Sequence, residues 1–342
     1  MGKYYKIGYI WDNYLDKVTP EDMRMLTHIN IAFGLVENGK IKISHLKNTD
    51  YIKKLREYNP EIKILLSVGG WGAGGFSKAA STLDGCIKFA QSGYDAYTAL
   101  GLDGIDIDWE YPCSDAAKID ASPDDKYNFT LMMQKLREAL PNSAMLTIAA
   151  GAGQYFIDGT EMEKVEKYLD YVQLMTYDMC GDGAITVHHT NLFESSKSDN
   201  SSAAHAVDIF NKAGVPSDKL IIGAAFYSRE WRNISAPDTE KLPGLSGLSG
   251  LYQSVGVYAQ FGAKFADLCE NYINKNGYTR YWDDVAKAPY LFNGSHFITY
   301  DDEESIAHKC EYIKQKGVKG IMYWEHSCDE TRCLLNAIDK NL

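Results

Sequence analysis

No apolar run in this 342-residue sequence approaches the roughly 18 residues that a membrane-spanning helix needs, so nothing in it points to a membrane. Basic residues are in short supply: 35 Lys and Arg stand against 46 Asp and Glu, for a formal net charge of −11. That imbalance argues against a nucleic-acid partner, because proteins that grip a phosphate backbone gather Lys and Arg into a basic footprint. None of the seven cysteines (Cys86, Cys113, Cys180, Cys269, Cys310, Cys328, Cys333) stands in a CxxC metal-type spacing. Cys328 and Cys333 are close enough for a local disulfide, but we read the cysteines as free thiols serving as small apolar side chains. No secretory signal is legible, since Met1-Gly2-Lys3 leads almost directly into Tyr5–Ile10, too short for a signal core. Either a cytoplasmic protein or the loss of a leader fits.

What is present is a rhythm. Short, nearly continuous apolar runs recur at Tyr5–Ile10, His28–Phe33, Lys63–Val68, Gly104–Trp109, Met145–Ala149, Tyr171–Thr176, Leu220–Ala225 and Gly320–Trp324. Such runs suit parallel strands buried on both faces. Between them lie amphipathic segments such as Cys86–Leu100, Lys126–Leu140 and Ser202–Ala213. Eight strands alternating with helices predict an α/β fold, a (β/α)8 TIM barrel with its function at the C-terminal strand ends. A doubly wound open sheet is the alternative, disfavoured because no GxGxxG follows the first strand.

The rhythm breaks once, between Ala225 and Gly320, a stretch too long for one crossover. It contains the turn-rich Pro243-Gly-Leu-Ser-Gly-Leu-Ser-Gly250, a helix-like segment around Phe261–Asn274 and a strand-like one around Tyr278–Trp282. We therefore expect the barrel to occupy residues 1–230 and 295–342, with 231–294 a small α+β insertion on the top face. The helix Glu303–Lys316 then resumes the barrel.

The chemistry concentrates in Asp103-Gly-Ile-Asp106-Ile-Asp108-Trp-Glu110-Tyr-Pro112. Side chains alternate along a strand, so Asp106, Asp108 and Glu110 share one face at intervals of about 6.5–7 Å, while Ile105, Ile107 and Trp109 face the covering helices. An unpaired buried carboxylate costs several kcal/mol, and like charges add to the cost. The group relieves itself by retaining protons, and a carboxyl protonated near neutrality is what a general acid must be. Glu110, last in the run, would lie at the barrel mouth. A Mg2+ or Ca2+ site is the competing reading, but no His or further acid follows at suitable spacing. A solvated acidic face is at odds with the intervening Ile, Ile and Trp. His188-His189 could pass for metal ligands, yet adjacent side chains diverge, and we read them as loop histidines.

At these residues the chain resembles glycoside hydrolase family 18, the chitinases and their relatives. The Asp103-x-x-Asp106-x-Asp108-x-Glu110 run followed by Tyr-Pro is similar to the family signature. Ser67-Val-Gly69-Gly70-Trp71 resembles its SxGG element, and Gln173-Leu-Met175-Thr-Tyr177-Asp178 its QxMxYD element. Gly223-Ala-Ala-Phe226-Tyr227-Ser-Arg229 resembles GxPFYGR with Ala and Ser in place of Pro and Gly, and Gly320-Ile-Met322-Tyr-Trp324 the last strand. The likeness runs from Ile7 to about Ala337.

The resemblance implies hydrolysis of β-1,4-linked N-acetylglucosamine polymers, chitin or chitooligosaccharides, by a retaining, substrate-assisted route. It implies Glu110 as the acid and later the base, Asp108 on the acetamido N–H, and Asp106 sharing a proton with Asp108 so that this pair titrates as a unit. Tyr177 would meet the acetamido group and Asp178 the sugar at the cleavage point. Met175 would line the pocket, and Trp324 would floor it beside Tyr9 and Phe33. Trp71 would carry the neighbouring sugar, with Tyr227 also among the substrate-binding residues. Arg229 would bind substrate or anchor an acid. Asp103, Ser67, Gly69 and Gly70 read as structural motif residues. No metal or other cofactor is implied, and a secreted monomer is expected, with a cytoplasmic one left open. The insertion implies chain-end or processive action. An endo-β-N-acetylglucosaminidase, a peptidoglycan hydrolase and a non-catalytic chitin-binding lectin are the alternatives on the same scaffold.

Overall fold

The computed structural model describes residues 4–181, 183–195, 201–234, 256–259 and 262–342. Eight parallel strands close on themselves: β1 (Tyr5–Trp11), β2 (His28–Glu37), β4 (Lys63–Gly69), β5 (Gly104–Asp108), β6 (Met145–Gly151), β7 (Tyr171–Met175), β8 (Leu220–Ala225) and β14 (Gly320–Trp324), with β14 and β2 both paired to β1. Each predicted run is one of these strands, and the architecture is the expected (β/α)8 barrel. The sequence reading stopped β2 at Phe33. The strand in fact continues to Glu37 and folds back through the short antiparallel β3 (Lys40–Lys42).

Strand alternation divides the apolar material in two. Ile105 and Ile107, with Ile29, Ile31, Ile64 and Leu66, pack outward against helices such as Leu83–Leu100 and Asp125–Ala139. A smaller cluster of Ile7, Tyr9, Tyr171, Met175, Ile221 and Met322 fills the barrel. The helix Glu303–Lys316 starts where predicted because Asp302 caps it, its carboxylate accepting from the Glu304 and Ser305 amides while Ser305 answers back. A buried ion pair, Lys309 Nζ to Asp301 Oδ2 at 2.6 Å, ties this helix to Thr190 and to the Ala225 amide at the end of β8.

The long β8–β14 connection carries a second, antiparallel sheet in the order β10 (Val257–Ala259), β9 (Arg229–Arg232), β13 (Phe297–Thr299), β12 (Ala288–Phe292) and β11 (Thr279–Asp283). Its strands reach beyond both ends of the expected 231–294 span, because β9 and β13 pair directly with each other. Trp231, Tyr290, Phe292 and Phe297 give it a core of its own. The helix-like segment is the helix Phe265–Asn271; Phe261 and the turn-rich 243–250 lie outside the described residues. All seven cysteines are free, and the Cys328 thiol lies 3.0 Å from a Glu325 carboxylate oxygen rather than bonded to Cys333. Among the described residues no helix is long and apolar enough to cross a membrane.

Candidate active site

A cleft of about 2150 Å³ opens at the C-terminal ends of the barrel strands. It is bordered by Asp108, Met175 and Trp324 at the ends of β5, β7 and β14, by Glu110 just after β5, and by Tyr177 and Asp178 just after β7. Three non-prolyl cis peptide bonds, Ala32–Phe33, Glu110–Tyr111 and Trp324–Glu325, lie at this same mouth.

The three carboxyls on and just after β5 are all buried, Asp106 completely. Asp106 is the deepest and has the most donors. Tyr9 OH and Ser67 Oγ each lie 2.9 Å from Oδ2, and Thr147 Oγ1 (2.6 Å) and Gln173 Nε2 (2.9 Å) reach Oδ1. Burial raises its pKa, and the four hydrogen bonds oppose that rise. Asp108 has no such company. Burial and the charges of Glu110 and Asp106 push it well above the carboxylate range, and one of its oxygens has no protein partner.

Glu110 rises from its ordinary 4.5 to about 7, chiefly through burial, with the Asp178 charge adding to it and hydrogen bonds from Tyr111 and Asp108 holding it back. Asp108 is hydrogen-bonded to Glu110, while Asp106, the expected partner in its titration, acts on it through its charge. Asp106 has both oxygens committed to four donors, whereas the chain leaves the strand after Asp108 and brings Glu110 back against it.

The opposite wall obeys another rule. Arg229, on β9, sets Nε 2.8 Å from Asp178 Oδ1 and Nη2 2.8 Å from Oδ2, and His189 Nδ1 lies 3.5 Å from Oδ1. Burial pushes Asp178 up, but the His189 and Arg229 interactions outweigh it and hold the carboxyl below its usual range. Arg229 thus anchors an acid, the second of its two expected uses. It also lies 4.7 Å from the Tyr227 ring centre, and Tyr227 in turn meets Tyr177 edge-on at 6.2 Å. The two histidines do diverge, but both are buried: His188 pairs with Asp283 at 3.2 Å and His189 faces Asp178. Among the described residues no three His, Cys, Asp or Glu side chains gather as a metal ion would require.

The aromatic residues fall into place around these acids. Phe33 lies nearly parallel to Trp324 with ring centres 5.4 Å apart, and Tyr9 meets Trp324 edge-on. The Tyr9 hydroxyl is directed away, to Asp106. Met175 is buried on the cleft wall, and the Tyr177 hydroxyl lies 3.8 Å from the Met322 sulfur. Trp71 lines the cleft and is 58% exposed. The glycines before it are forced by contact: a Cβ at Gly69 would collide with the Asp108 carbonyl oxygen, one at Gly70 would press the Phe33 ring, and both have positive φ. Asp103 is absent from this site. At the other end of β5 it accepts from Arg56 (2.8 Å) and from the Ile64 amide (2.9 Å).

Sequence reasoning missed Thr147 and Gln173 as donors to Asp106, and Tyr111, whose ring joins Trp71 and Tyr155 at 6.3 and 5.1 Å. It also missed Trp11. The available signals were a lone Thr in an apolar strand, and aromatics at or just past a strand end.

Comparison with known proteins shows the family. The family model for the glycosyl hydrolases family 18 matches residues 5–329. Chitinase A1 of Niallia circulans is 37% identical over 86% of this chain and 44% of its own length. Chitinase B of Serratia marcescens is 30% identical over 95% of this chain and 78% of its own length. This chain therefore spans under half of the first relative and about four fifths of the second. Among solved structures, a family 18 N-acetylglucosaminidase from Paenibacillus barengoltzii superimposes with a TM-score of 0.92 at 48% identity, covering 99% of this chain and all of that one.

Proposed function

Because the chain belongs to glycoside hydrolase family 18, we propose that it hydrolyses β-1,4-linked N-acetylglucosamine chains, chitin or chitooligosaccharides, with Glu110 as general acid and then general base. The observation that carries this reading is the contact between Asp108 and Glu110, two buried carboxyls both raised in pKa. An inverting glycosidase separates its two carboxyls by about 6.5–9.5 Å to seat a water between them, and two groups in contact leave no such room. A carboxylate nucleophile must be ionised, and Asp108 is pushed well above the carboxylate range. The nucleophile is then left to the substrate. The acetamido carbonyl oxygen attacks the anomeric carbon, Glu110 gives its proton to the departing glycosidic oxygen, and the same Glu110 later takes a proton from the water that opens the oxazolinium.

In this scheme Asp108 steadies the acetamido N–H, and Tyr177, which faces it across the cleft, the acetamido oxygen. Asp178, kept ionised by Arg229 and His189, accepts from the sugar. Trp324 floors the site with Tyr9 and Phe33 beside it, Met175 and Tyr227 line it, and Trp71 carries the leaving-group sugar. The reaction needs neither metal nor organic cofactor. The second sheet, through Arg229 and Tyr258, walls one side of the cleft, with Lys264 beside it. We include in the proposal a monomer acting outside the cell, and attack at chain ends rather than at random, which the likeness to an N-acetylglucosaminidase supports. Proton NMR of the first products of chitooligosaccharide cleavage tests the mechanism. Retention predicts the β-anomer first; an α-anomer appearing first would overturn it.

A further inference from the structure

The cleft is built unequally on the two sides of Glu110. Towards the leaving group Trp71, Tyr111 and Tyr155 follow one another, and Trp71 and Tyr155 are 58% and 53% exposed. On the other side the ring beyond Trp324 is Trp11, the last residue of β1 and 39% exposed. Its centre lies 5.3 Å from Trp324 and 5.4 Å from Phe33, inclined to them by 68° and 89°, although those two rings are within 21° of parallel. A ring parallel to Trp324 would prolong a flat platform for another sugar. An upright ring ends it.

Trp11 is also braced. The next residue, buried Asp12, accepts the Lys47 amide (2.8 Å) and the Asn48 amide (3.1 Å) on its two carboxylate oxygens, while Asn48 Nδ2 donates to the Asp12 carbonyl at 3.1 Å. His45 Nε2 lies 2.9 Å from the Phe33 carbonyl oxygen. A strap of residues 45–48 is thereby laced to the end of β1 and to Phe33 within β2.

We propose that Trp11 is the specificity-determining residue that closes the glycone side of the cleft after one sugar, so that single N-acetylglucosamine units leave from the non-reducing end. This deepens the function proposed above and rests on it. Strand order sets the direction: β5 and β14 lie diametrically opposite in the barrel. A sugar lying over Trp324 with its anomeric carbon towards Glu110 turns its O4 towards the β14–β1 edge, where Trp11 stands. In each turnover one C1–O bond breaks and the leaving oxygen takes the Glu110 proton. Water then supplies hydroxyl to C1 and returns the proton to Glu110.

The test follows the first cut of penta-N-acetylchitopentaose carrying a label at its reducing end. The wild-type protein should give labelled tetramer as first product. Trp11→Ala should raise the ratio of labelled trimer to tetramer by about tenfold, the size of one lost ring contact, whereas Trp11→Phe should keep the tetramer dominant. Asp12→Asn, which loosens the strap without touching Trp11, should raise the ratio in the same direction. A wild-type first product of trimer or shorter overturns the inference, as does a Trp11→Ala protein that binds the pentamer less well while still cutting to tetramer. Failure of the wild-type protein to cleave the pentamer at all would instead strike at the hydrolase reading itself.

Discussion

Two walls of one cleft carry carboxyls, and they treat them oppositely. Asp108 and Glu110 face each other with only neutral donors and a further acid nearby, and both are driven towards protonation. Asp178 has Arg229 and His189 against it and is driven towards ionisation. Burial alone pushes all three the same way; the neighbours decide the outcome. One wall stores a proton and the other stores a negative charge, and the substrate-assisted hydrolysis proposed above would use both at once.

The largest break in this contrast is to deny the first wall its proton. Glu110→Gln removes the acid while leaving an amide of the same shape, so turnover of chitooligosaccharides should fall by about 10²–10⁴-fold with binding retained by calorimetry. A loss of less than about tenfold would mean that the proton comes from elsewhere.

The same substitution should reveal what the stored proton costs the fold. Glu110 titrates near 7 in the folded chain against 4.5 ordinarily. Its contribution to stability is therefore fully present below pH 4.5 and is lost as pH rises through about 7. Glu110→Gln never ionises, so its stability relative to wild type should increase between pH 4 and pH 8 by on the order of 1–3 kcal/mol. Urea unfolding at the two pH values measures this, and an equal difference at both would contradict the raised pKa. Wild-type turnover should likewise decline as pH rises through about 7, when the acid form disappears.

How much of this was legible beforehand depends on what each feature rests upon. The barrel strands were readable because a strand buried on both faces leaves an unbroken apolar run, and Leu220–Ala225 and Gly320–Trp324 were placed to the residue. The extension of β2 and its β3 hairpin were not, because Leu35 and Glu37 are exposed and follow no buried period. Alternation put three acids on one face but could not say which pair meets, since the chain leaves the strand between Asp108 and Glu110. The Asp106 donors come from four other strands, 39 to 97 residues away in sequence, and only folding convenes them. Arg229 was visible as a residue but ambiguous as a role, for the same reason.

On the second wall, Arg229→Gln should let the Asp178 carboxyl rise towards protonation. Asp178 is partly open to solvent, with 42% of its side chain exposed, so the effect is discounted from that of a fully buried pair. We expect kcat/KM to fall about tenfold, most of it in KM, and the loss to deepen as pH is lowered. A pH-independent loss confined to kcat would show that Arg229 acts on the first wall instead.

The smallest effect belongs beneath the first wall. Asp106 adds its charge to the burden on Asp108 while four donors share the load of its own burial. Ser67→Ala removes one of these, the 2.9 Å contact to Oδ2, and leaves Tyr9 on the same oxygen with Thr147 and Gln173 on the other. A net hydrogen bond is worth about 0.5–1.5 kcal/mol, so turnover should drop only a few-fold. The direction of the proton shift is the sharper readout. With less support for its charged form, Asp106 should hold its proton to higher pH and relieve Asp108 of a negative neighbour, so the Asp108–Glu110 pair should titrate lower and the alkaline limb of the rate profile should move to lower pH. Movement to higher pH would mean that Ser67 stabilises the protonated Asp106, and that the deepest acid stores a proton as the upper two do.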